Sequence, residues 1–534
     1  MTHTDADALE ITLAEVDGIP VTWARTRGDF TGVLIMGVGG RDLSPTTAGL
    51  HHLVEHLVMH RVGRVTIEHN ASSDLDSLQF YASGSRELVT DFLERVGAAI
   101  ASLGSVTDAE VAVEVSTIAA EVGMPGLYAS TSALSLRWGV GGLGIGDVLH
   151  APLGALRATD VHAFAARWMV SGNAHLVFTD EPPTDVALGL PAGEPAPHQS
   201  HPEPLEGALP ALAFLPDAGV TVSFTRTVGE GAAGILAGQV VEDALTERLR
   251  LEQGQVYTVM LDGLHVTDDT NAWVLSLDPD NQRAARVAVD AIRELRRLAD
   301  EGPDAAALDH ARSTLRAQMS SSSGQVAWLC SLAEQRVLRR RARPGFAETL
   351  AALDALGADD VRAVLQSALP SLLLTLPSGA PLDDATTEAL DGLGLAQRRP
   401  YRTYDGMSAK EIKADLLAGG EQPRGARDLF FAQSSAHKGK FFGPQRGNEI
   451  WLGPRQLAIP EIGVRVRAED VVLIGADDDG DVEIVTRTGG VIVLNPAHFR
   501  GATQPWATFM RSIDPTLVRD KVGLGEAAEP NAAK

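Results

Sequence analysis

The sequence contains one cysteine, Cys330, in 534 residues. A single cysteine cannot form a disulfide within the chain, and it excludes cysteine-rich zinc modules and iron–sulfur clusters. Positive charge is also scarce, because 45 lysines and arginines stand against 70 aspartates and glutamates, which gives a formal net charge of −25. A general nucleic-acid binder needs a basic face to displace counterions, so we expect no nucleic-acid partner.

Long apolar runs are absent as well. No segment offers the ~18 uncharged apolar residues that a membrane-spanning helix needs. The first residues, MTHTDADALEITLAEV, are acidic and lack the apolar run of a signal peptide. We therefore expect no membrane span and a cytoplasmic location.

Hydrophobic residues make up 44% of the chain, and its length allows about three or four domains.

The first 385 residues contain an internal repeat. Residues 151–163 and 351–363 are identical at eight of thirteen positions, and each copy precedes a short apolar run. Between the copies, residues 182–204 contain seven prolines, a density typical of an extended linker. We predict two related α+β halves, residues 1–181 and 205–385, joined by this proline-rich linker. A chance similarity of two alanine-rich helices is the alternative.

The pattern changes after residue 395. Short runs typical of strands are separated by turn residues, and a closing helix is predicted over 505–513. We predict a separate small β-rich domain over 395–534, which loosely resembles a pleckstrin-homology-like barrel. The runs are 449–453, 464–467, 471–474, 482–487 and 491–494.

A histidine-rich segment carries the clearest candidate chemistry. Five of the fifteen histidines lie between residues 51 and 69, and His52, Glu55 and His56 form the pattern H-x-x-E-H. In a helix, residues four apart share one face, so the two histidines can direct their imidazoles at one metal ion. Glu55 lies at the neighbouring edge, where it can take a proton from a water molecule.

The helix that carries this pattern is predicted to begin at Ser44 and Pro45 and to run to about His60. The alternative for the motif is a histidine-rich helix with ordinary hydrogen bonds. His56 and His60 form a competing ligand pair, but that pair lacks the embedded glutamate. We treat His51 and His69 as non-ligating.

A second helix, predicted over 108–122, offers a third ligand. A catalytic zinc ion usually has three protein ligands and keeps one position open. Glu114 and Glu121 are seven residues apart and therefore face the same way, and Glu110 lies one turn before Glu114. A solvated acidic stripe is the alternative, but the helix is largely apolar, and acids on a buried helix need partners.

These motifs resemble those of the M16 (insulinase or pitrilysin) family of metallopeptidases. The segment from Gly39 to His56 is similar to the family's glycine turn and inverted zinc motif. Asn70-Ala-Ser-Ser resembles its N-A-x-T strand, and Glu114 with Glu121 resembles its E-x6-E pair. In the second half, the segment from Arg250 to Tyr257 resembles its R-x6-Y segment. The zinc helix departs from the family where it runs into His60-Arg-Val-Gly-Arg.

The resemblance covers about residues 1–385 and implies two α/β sandwich halves and a zinc-dependent endopeptidase acting on short or unfolded peptides. It implies that His52, His56 and Glu121 hold one Zn²⁺ and that Glu114 supports the site. Glu55 would be the general base. The peptide would bind as an added strand along Asn70 and Ala71, while Arg250 and Tyr257 hold the substrate and stabilise the oxyanion.

The resemblance also bears on assembly. We expect a homodimer, because one chain holds both the zinc set and the Arg/Tyr set. A heterodimer with another chain of the family, in which this chain matures a peptide with its partner, is an alternative. A non-catalytic subunit is a second alternative, and a scaffolding or peptide-binding protein directed by residues 395–534 is a third.

Overall fold

The computed structural model describes residues 9–122, 131–194, 196–198, 204–205, 207–215, 219–227, 231–377, 379–397, 435–440, 448–459, 464–476 and 480–520. The strands are β1 (Thr12–Val16), β2 (Ile19–Trp23), β3 (Phe30–Met36), β4 (Glu68–Ser73), β5 (Leu78–Gly84), β6 (Ala174–Phe178), β7 (Ala211–Leu215), β8 (Val220–Thr227), β9 (Val259–Thr267), β10 (Thr270–Leu277), β11 (Leu373–Pro377), β12 (Ala396–Gln397), β13 (Ser435–Lys438), β14 (Glu449–Gly453), β15 (Gln456–Ile459), β16 (Val464–Arg467), β17 (Val471–Ala476), β18 (Val482–Thr486), β19 (Val491–Leu494) and β20 (Val518–Asp520).

The helices are α1 (Leu50–Val62), α2 (Arg86–Ala101), α3 (Asp108–Val122), α4 (Thr131–Trp138), α5 (Ala158–Trp168), α6 (Gly231–Leu245), α7 (Ala284–Glu301), α8 (Ala305–Ser320), α9 (Ser322–Val337), α10 (Phe346–Ala355), α11 (Ala358–Ala368), α12 (Asp384–Asp391) and α13 (Thr503–Met510). A π-helical turn, Thr246–Glu252, continues α6. Among the described residues, no helix is long and apolar enough to cross a membrane.

The two halves share one sheet topology. The first sheet has the order β1-β2-β6-β3-β5-β4, and the second has the order β12-β7-β11-β8-β10-β9. Five of the six strands therefore correspond one to one, from β2 and β7 to the edge strands β4 and β9. The strands at the other edge differ, because β1 forms an antiparallel hairpin with β2 whereas β12 runs parallel to β7. The α+β prediction of two related halves is confirmed.

Amphipathic helices cover the first sheet on one face. In α2 the buried residues Val89, Phe92, Leu93 and Val96 recur at helical spacing, and this face packs on β3 and β5. The Ser85 hydroxyl accepts a hydrogen bond from the Leu88 amide at the start of the helix.

Each half also contributes a helix to the other half's sheet. On β3, Leu34 and Met36 lie in the core of the first half, whereas Val33 and Ile35 pack into the core of the second half. Helix α9 packs against β2, β3 and β6, and α4 packs against β8 and β11. Because both faces of β3 are covered, its sequence is a continuous apolar run rather than an alternating one.

Polar contacts add to this interface. The Arg41 guanidinium forms an ion pair with Asp76 (2.7 Å) and donates a hydrogen bond to the His265 carbonyl oxygen (2.8 Å). Arg340, from the second half, forms an ion pair with the same Asp76 carboxylate.

The C-terminal region is β-rich, as predicted. Within the described residues it has two four-stranded sheets, β13-β14-β15-β16 and β19-β18-β17-β20, and α13. β13, β15 and β20 were not among the predicted strands. Leu473 and Val485 pack into the core of the first half, not into the core of this region. A likeness to a pleckstrin-homology barrel stays a prediction.

The domain limits stay predictions. Residues 195 and 199–203 of the predicted linker, and residues 398–434 near the start of the C-terminal region, lie outside the described residues. Because β12 (Ala396–Gln397) pairs with β7, we propose that the second half extends to residue 397.

The predicted start of the zinc-motif helix is wrong. Helix α1 begins at Leu50 and not at Ser44, because Gly49 has φ +79° and cannot continue a right-handed helix. The Ser44 hydroxyl instead contacts the hydroxyls of Thr46 and Thr47 in a polar turn. All of the H-x-x-E-H pattern still lies within α1.

Candidate metal centre

Helices α1 and α3 bring three donor atoms together at one end of a cavity. His52 Nε2 lies 3.2 Å from His56 Nε2. The Glu121 carboxylate oxygen lies 3.6 Å from His52 Nε2 and 3.4 Å from His56 Nε2. Among the described residues, this is the one group of three histidine, cysteine or acidic side chains whose donor atoms all lie within 4.8 Å of one another.

The spacing and chemistry of these donors fit a zinc ion. A tetrahedral site with metal–ligand distances of ~2.0–2.1 Å places neighbouring donors about 3.3–3.4 Å apart. Two imidazole nitrogens and one carboxylate oxygen are typical of a catalytic zinc site with an open position. The geometry therefore suits the ligand set that the sequence predicts.

Glu114 lies behind this group rather than in it. Its carboxylate contacts His60 Nδ1 at 2.9 Å and His56 Nδ1 at 3.4 Å, and the side chain is 8% exposed. Glu121, by contrast, is 41% exposed at the cavity. This placement suits Glu114 as a supporting residue. His60 is outside the group of three donors, so the competing His56/His60 pair gains no support from the geometry.

Glu55 is mostly buried beside the two histidines, and its carboxylate lies 3.8 Å from His52 Nε2. Burial raises the pKa of the Glu55 carboxyl, and His56 and a hydrogen bond with Ser73 oppose that rise. A buried carboxyl with a raised pKa is suited to exchange protons near neutral pH. Burial and the neighbouring His56 lower the pKa of His52 against the opposing effect of Glu121, which favours the neutral imidazole that a metal needs.

The cavity around these residues has a volume of about 610 Å³. Strand β4 forms one wall, and it lies at the edge of the first sheet with β5 as its one strand neighbour among the described residues. Asn70 is exposed and Ala71 is buried on this strand. The lining residues are His52, Glu55, His56, Met59, His60, Asn70, Ala71, Ser72, Ser73, Glu114, Glu121, Leu149 and His150.

Arg250 and Tyr257 lie outside this cavity. Arg250 is in the π-helical turn that follows α6, and its guanidinium carbon lies 5.1 Å from the centroid of the Tyr257 ring. The Tyr257 side chain is 77% exposed. The structure therefore brings these two residues to each other, but it does not bring them to His52 within one chain.

Arg61 and His69 of the motif region have polar partners within the fold, and His51 lies in the interior. Arg61 forms an ion pair with Glu110 at 2.8 Å, and this contact, with hydrogen bonds from Thr107, lowers the pKa of Glu110 to about 2. His51 is fully buried, and burial lowers its pKa to about 3. His69 contacts the Ile67 carbonyl oxygen at 2.9 Å.

Sequence reasoning missed His150. Its Nε2 lies 3.2 Å from His52 Nδ1, and burial, together with His52, lowers its pKa to about 4. The two histidines are 98 residues apart, so no motif spacing connects them. The one available signal is that His150 immediately precedes the internal repeat that begins at residue 151.

Known proteins share this fold. A family model described as "Peptidase M16 inactive domain" matches residues 216–315, which lie in the second half. No curated protein sequence matches the chain significantly. Solved structures match at low identity.

A chain of complex III2 from Candida albicans is 13% identical, with a TM-score of 0.56 over 71% of this chain and 100% of that chain. The peptidase M16 inactive domain from Pseudomonas fluorescens is 14% identical, with a TM-score of 0.54 over 70% of this chain and 100% of that chain. A protease from Helicobacter pylori is 14% identical, with a TM-score of 0.56 over 69% of this chain and 99% of that chain. With the matched sheet order of its two halves, this chain has the fold of the M16 family of peptidases.

Proposed function

We propose that the chain is a zinc-dependent endopeptidase that hydrolyses peptide bonds in short or unfolded peptides. One zinc ion per chain would be held by His52, His56 and Glu121. The observation that carries this proposal is the spacing of their three donor atoms, 3.2, 3.4 and 3.6 Å. Zinc in this position would lower the pKa of a water molecule and polarise the scissile carbonyl.

Glu55 is the proposed general base. Its carboxylate lies beside His52 but is not in the group of three donors, so it is free to accept a proton from the attacking water. The protonated carboxyl then donates that proton to the amine of the leaving peptide. Its raised pKa supports this second step, because the protonated form is accessible closer to neutral pH.

Strand β4 is the proposed site for the peptide backbone. Because β4 is an edge strand, an extended peptide can pair with it through backbone hydrogen bonds. Asn70 and Ala71 line the same cavity as Glu55, so a peptide on this edge would lie next to the base. Recognition through the backbone favours extended segments over a particular sequence.

Arg250 and Tyr257 are the proposed substrate-holding and oxyanion-stabilising pair. Since they lie outside the cavity of their own chain, we propose that a second copy supplies them and that the enzyme is a homodimer. A heterodimer with another M16-like chain would meet the same geometric need. The cytoplasmic location stays a prediction.

A non-catalytic subunit is the second candidate, because the matching family model is described as an inactive domain. That match lies in the second half, whereas His52, Glu55 and His56 lie in the first. The intact donor group therefore favours an active chain.

Mass spectrometry of an oligopeptide mixture tests the proposal. The mixture is incubated with wild-type protein, and a Glu55→Gln sample is run beside it. We expect internal cleavage fragments with the wild type and a loss of at least about 100-fold in the variant. Equal fragment yields from both samples would exclude Glu55 as the base. No fragments from zinc-loaded wild type would favour the non-catalytic or partner-dependent alternative.

A further inference from the structure

The imidazole of His150 lies against His52 on the side away from the three donor atoms. His150 Nε2 is 3.2 Å from His52 Nδ1, and the two ring centroids are 5.5 Å apart. We propose that His150 is a positioning residue that accepts a hydrogen bond from His52 Nδ1 and so fixes the orientation of the His52 ring. This inference rests on the proposed zinc site.

The direction of that hydrogen bond follows from the donor group. His52 Nε2 faces His56 and Glu121, so a metal held there needs the lone pair of Nε2. A neutral imidazole has one N–H, which must then be on Nδ1. His52 is therefore the donor and His150 Nε2 is the acceptor, and His150 carries its own proton on Nδ1.

The backbone of α1 makes room for this contact. Gly49 has φ +79°, and a Cβ atom there would lie 2.5 Å from the Leu149 carbonyl oxygen and 3.7 Å from His150 Cδ2. A glycine immediately before α1 therefore allows the 149–150 backbone to approach the start of the helix. The contact between His150 and His52 therefore depends on two positions of the sequence, His150 itself and Gly49.

The two candidate histidine ligands have different partners at their outer nitrogens. His56 Nδ1 faces the carboxylate of Glu114 at 3.4 Å, whereas His52 Nδ1 faces a neutral imidazole. A ligating histidine almost always donates its second N–H to an acceptor, and loss of that acceptor typically weakens metal binding 10–100-fold. Because His150 is uncharged in this role, it orients His52 without adding negative charge to the site.

Zinc affinity of three variants tests the proposal, measured by competition with a chromophoric chelator at fixed pH. His150→Phe keeps a ring of similar shape but has no acceptor, and His150→Gln retains a side-chain acceptor. His310→Phe removes an exposed histidine on α8 and is the matched control. The melting temperature of each metal-free variant is measured in parallel. If His150→Phe lowers the melting temperature, His150→Asn replaces it as the acceptor-free variant, because the shorter amide side chain does not reach His52 Nδ1.

We expect the acceptor-free variant to bind zinc 10–100-fold more weakly than wild type, His150→Gln to recover most of that loss, and His310→Phe to match wild type. Cobalt-substituted His150→Phe should also show a changed visible spectrum. Wild-type affinity in His150→Phe, or equal weakness in His150→Phe and His150→Gln, would overturn the inference and leave the proposed function standing. A wild-type protein that binds no zinc would overturn both.

Discussion

The guanidinium of Arg250 lies over the ring of Tyr257, with its central carbon 5.1 Å from the ring centroid. An Asp278 carboxylate oxygen accepts hydrogen bonds from the backbone amides of Tyr257 (2.8 Å) and Thr258 (2.7 Å). The backbone beside the tyrosine is therefore held in place while its ring projects into solvent. The Tyr257 ring is therefore accessible to a substrate or to another chain.

Mixing two inactive variants tests whether a second copy supplies that pair. Glu55→Gln lacks the proposed base but keeps Arg250 and Tyr257. A combined Arg250→Ala, Tyr257→Phe variant keeps Glu55 but lacks the proposed substrate-holding pair. If sites form across a symmetric dimer, one of the two sites in each mixed dimer is intact, so an equal mixture recovers about one quarter of wild-type activity. Peptide cleavage after subunit exchange is the measurement. A mixture as inactive as its components would contradict assembly across two copies.

Glu114 and Glu121 of α3 are expected to differ in their effect on metal binding. Glu121→Gln removes an anionic donor from the group of three, so we expect zinc binding to be lost at micromolar concentrations. Glu114→Gln leaves the donors intact but removes the charge that faces His56 and His60, so we expect a loss of about 10–100-fold. Chelator competition measures both. A greater loss in Glu114→Gln would mean that the assignment of ligand and supporting residue is reversed.

The C-terminal region is expected to stabilise the segment that carries His150. The Val140 amide donates a hydrogen bond to the Arg487 carbonyl oxygen at 3.1 Å, and the buried Leu473 packs into the core of the first half. Leu473→Ala should lower the free energy of unfolding by about 2–5 kcal/mol. It should also increase hydrogen exchange of the amides over residues 139–150.

Leu452→Ala is the matched control, because Leu452 is equally buried but packs only within the C-terminal core. Hydrogen-exchange mass spectrometry should show a larger increase over 139–150 for Leu473→Ala than for the control. Equal protection of this segment in both variants would contradict a stabilising role for the C-terminal region.

A buried histidine far from the candidate metal centre predicts acid sensitivity. His175 in β6 is 3% exposed and lies 2.9 Å from the Thr22 hydroxyl, and burial, with the nearby Arg336, lowers its pKa to about 4. Above pH 6.5 the histidine is neutral in both the folded and the unfolded chain, so it adds no pH dependence. Between pH 6.5 and 4 only the unfolded chain takes up the proton, so the free energy of unfolding falls as the pH falls.

This effect amounts to about 2 kcal/mol between pH 7 and pH 5. His175→Gln keeps a polar contact for Thr22 but does not titrate, so its urea stability should fall less over this range than that of the wild type. An identical fall in both proteins would contradict the assignment.

Local patterns were sufficient to predict much of the fold. The spacing of the apolar residues predicts α3 with both of its ends, and the repeat at 151 and 351 predicts a second, related half. The start of α1 was missed because Ser44 and Pro45 are typical of a helix start, whereas the left-handed conformation of Gly49 decides where the helix begins.

Contacts between distant segments could not be predicted in this way. The H-x-x-E-H pattern places His52, Glu55 and His56 within one helical turn, so their proximity follows from local geometry. His150 and the packing of Leu473 depend on tertiary contacts, and neither has a spacing signal in the sequence. The position of Arg250 and Tyr257 outside the cavity likewise depends on how the two halves pack.

Zinc titration of metal-free protein, with peptide cleavage followed at each addition, tests whether the chain is a zinc-dependent peptidase with Glu55 as its base. We expect no cleavage without metal, a linear rise in activity to one zinc per chain, and a plateau beyond it. Glu55→Gln should bind the same single equivalent without gaining activity. Cleavage by metal-free wild type would contradict zinc dependence. Wild-type activity in a fully zinc-loaded Glu55→Gln variant would contradict the role of Glu55 as the base.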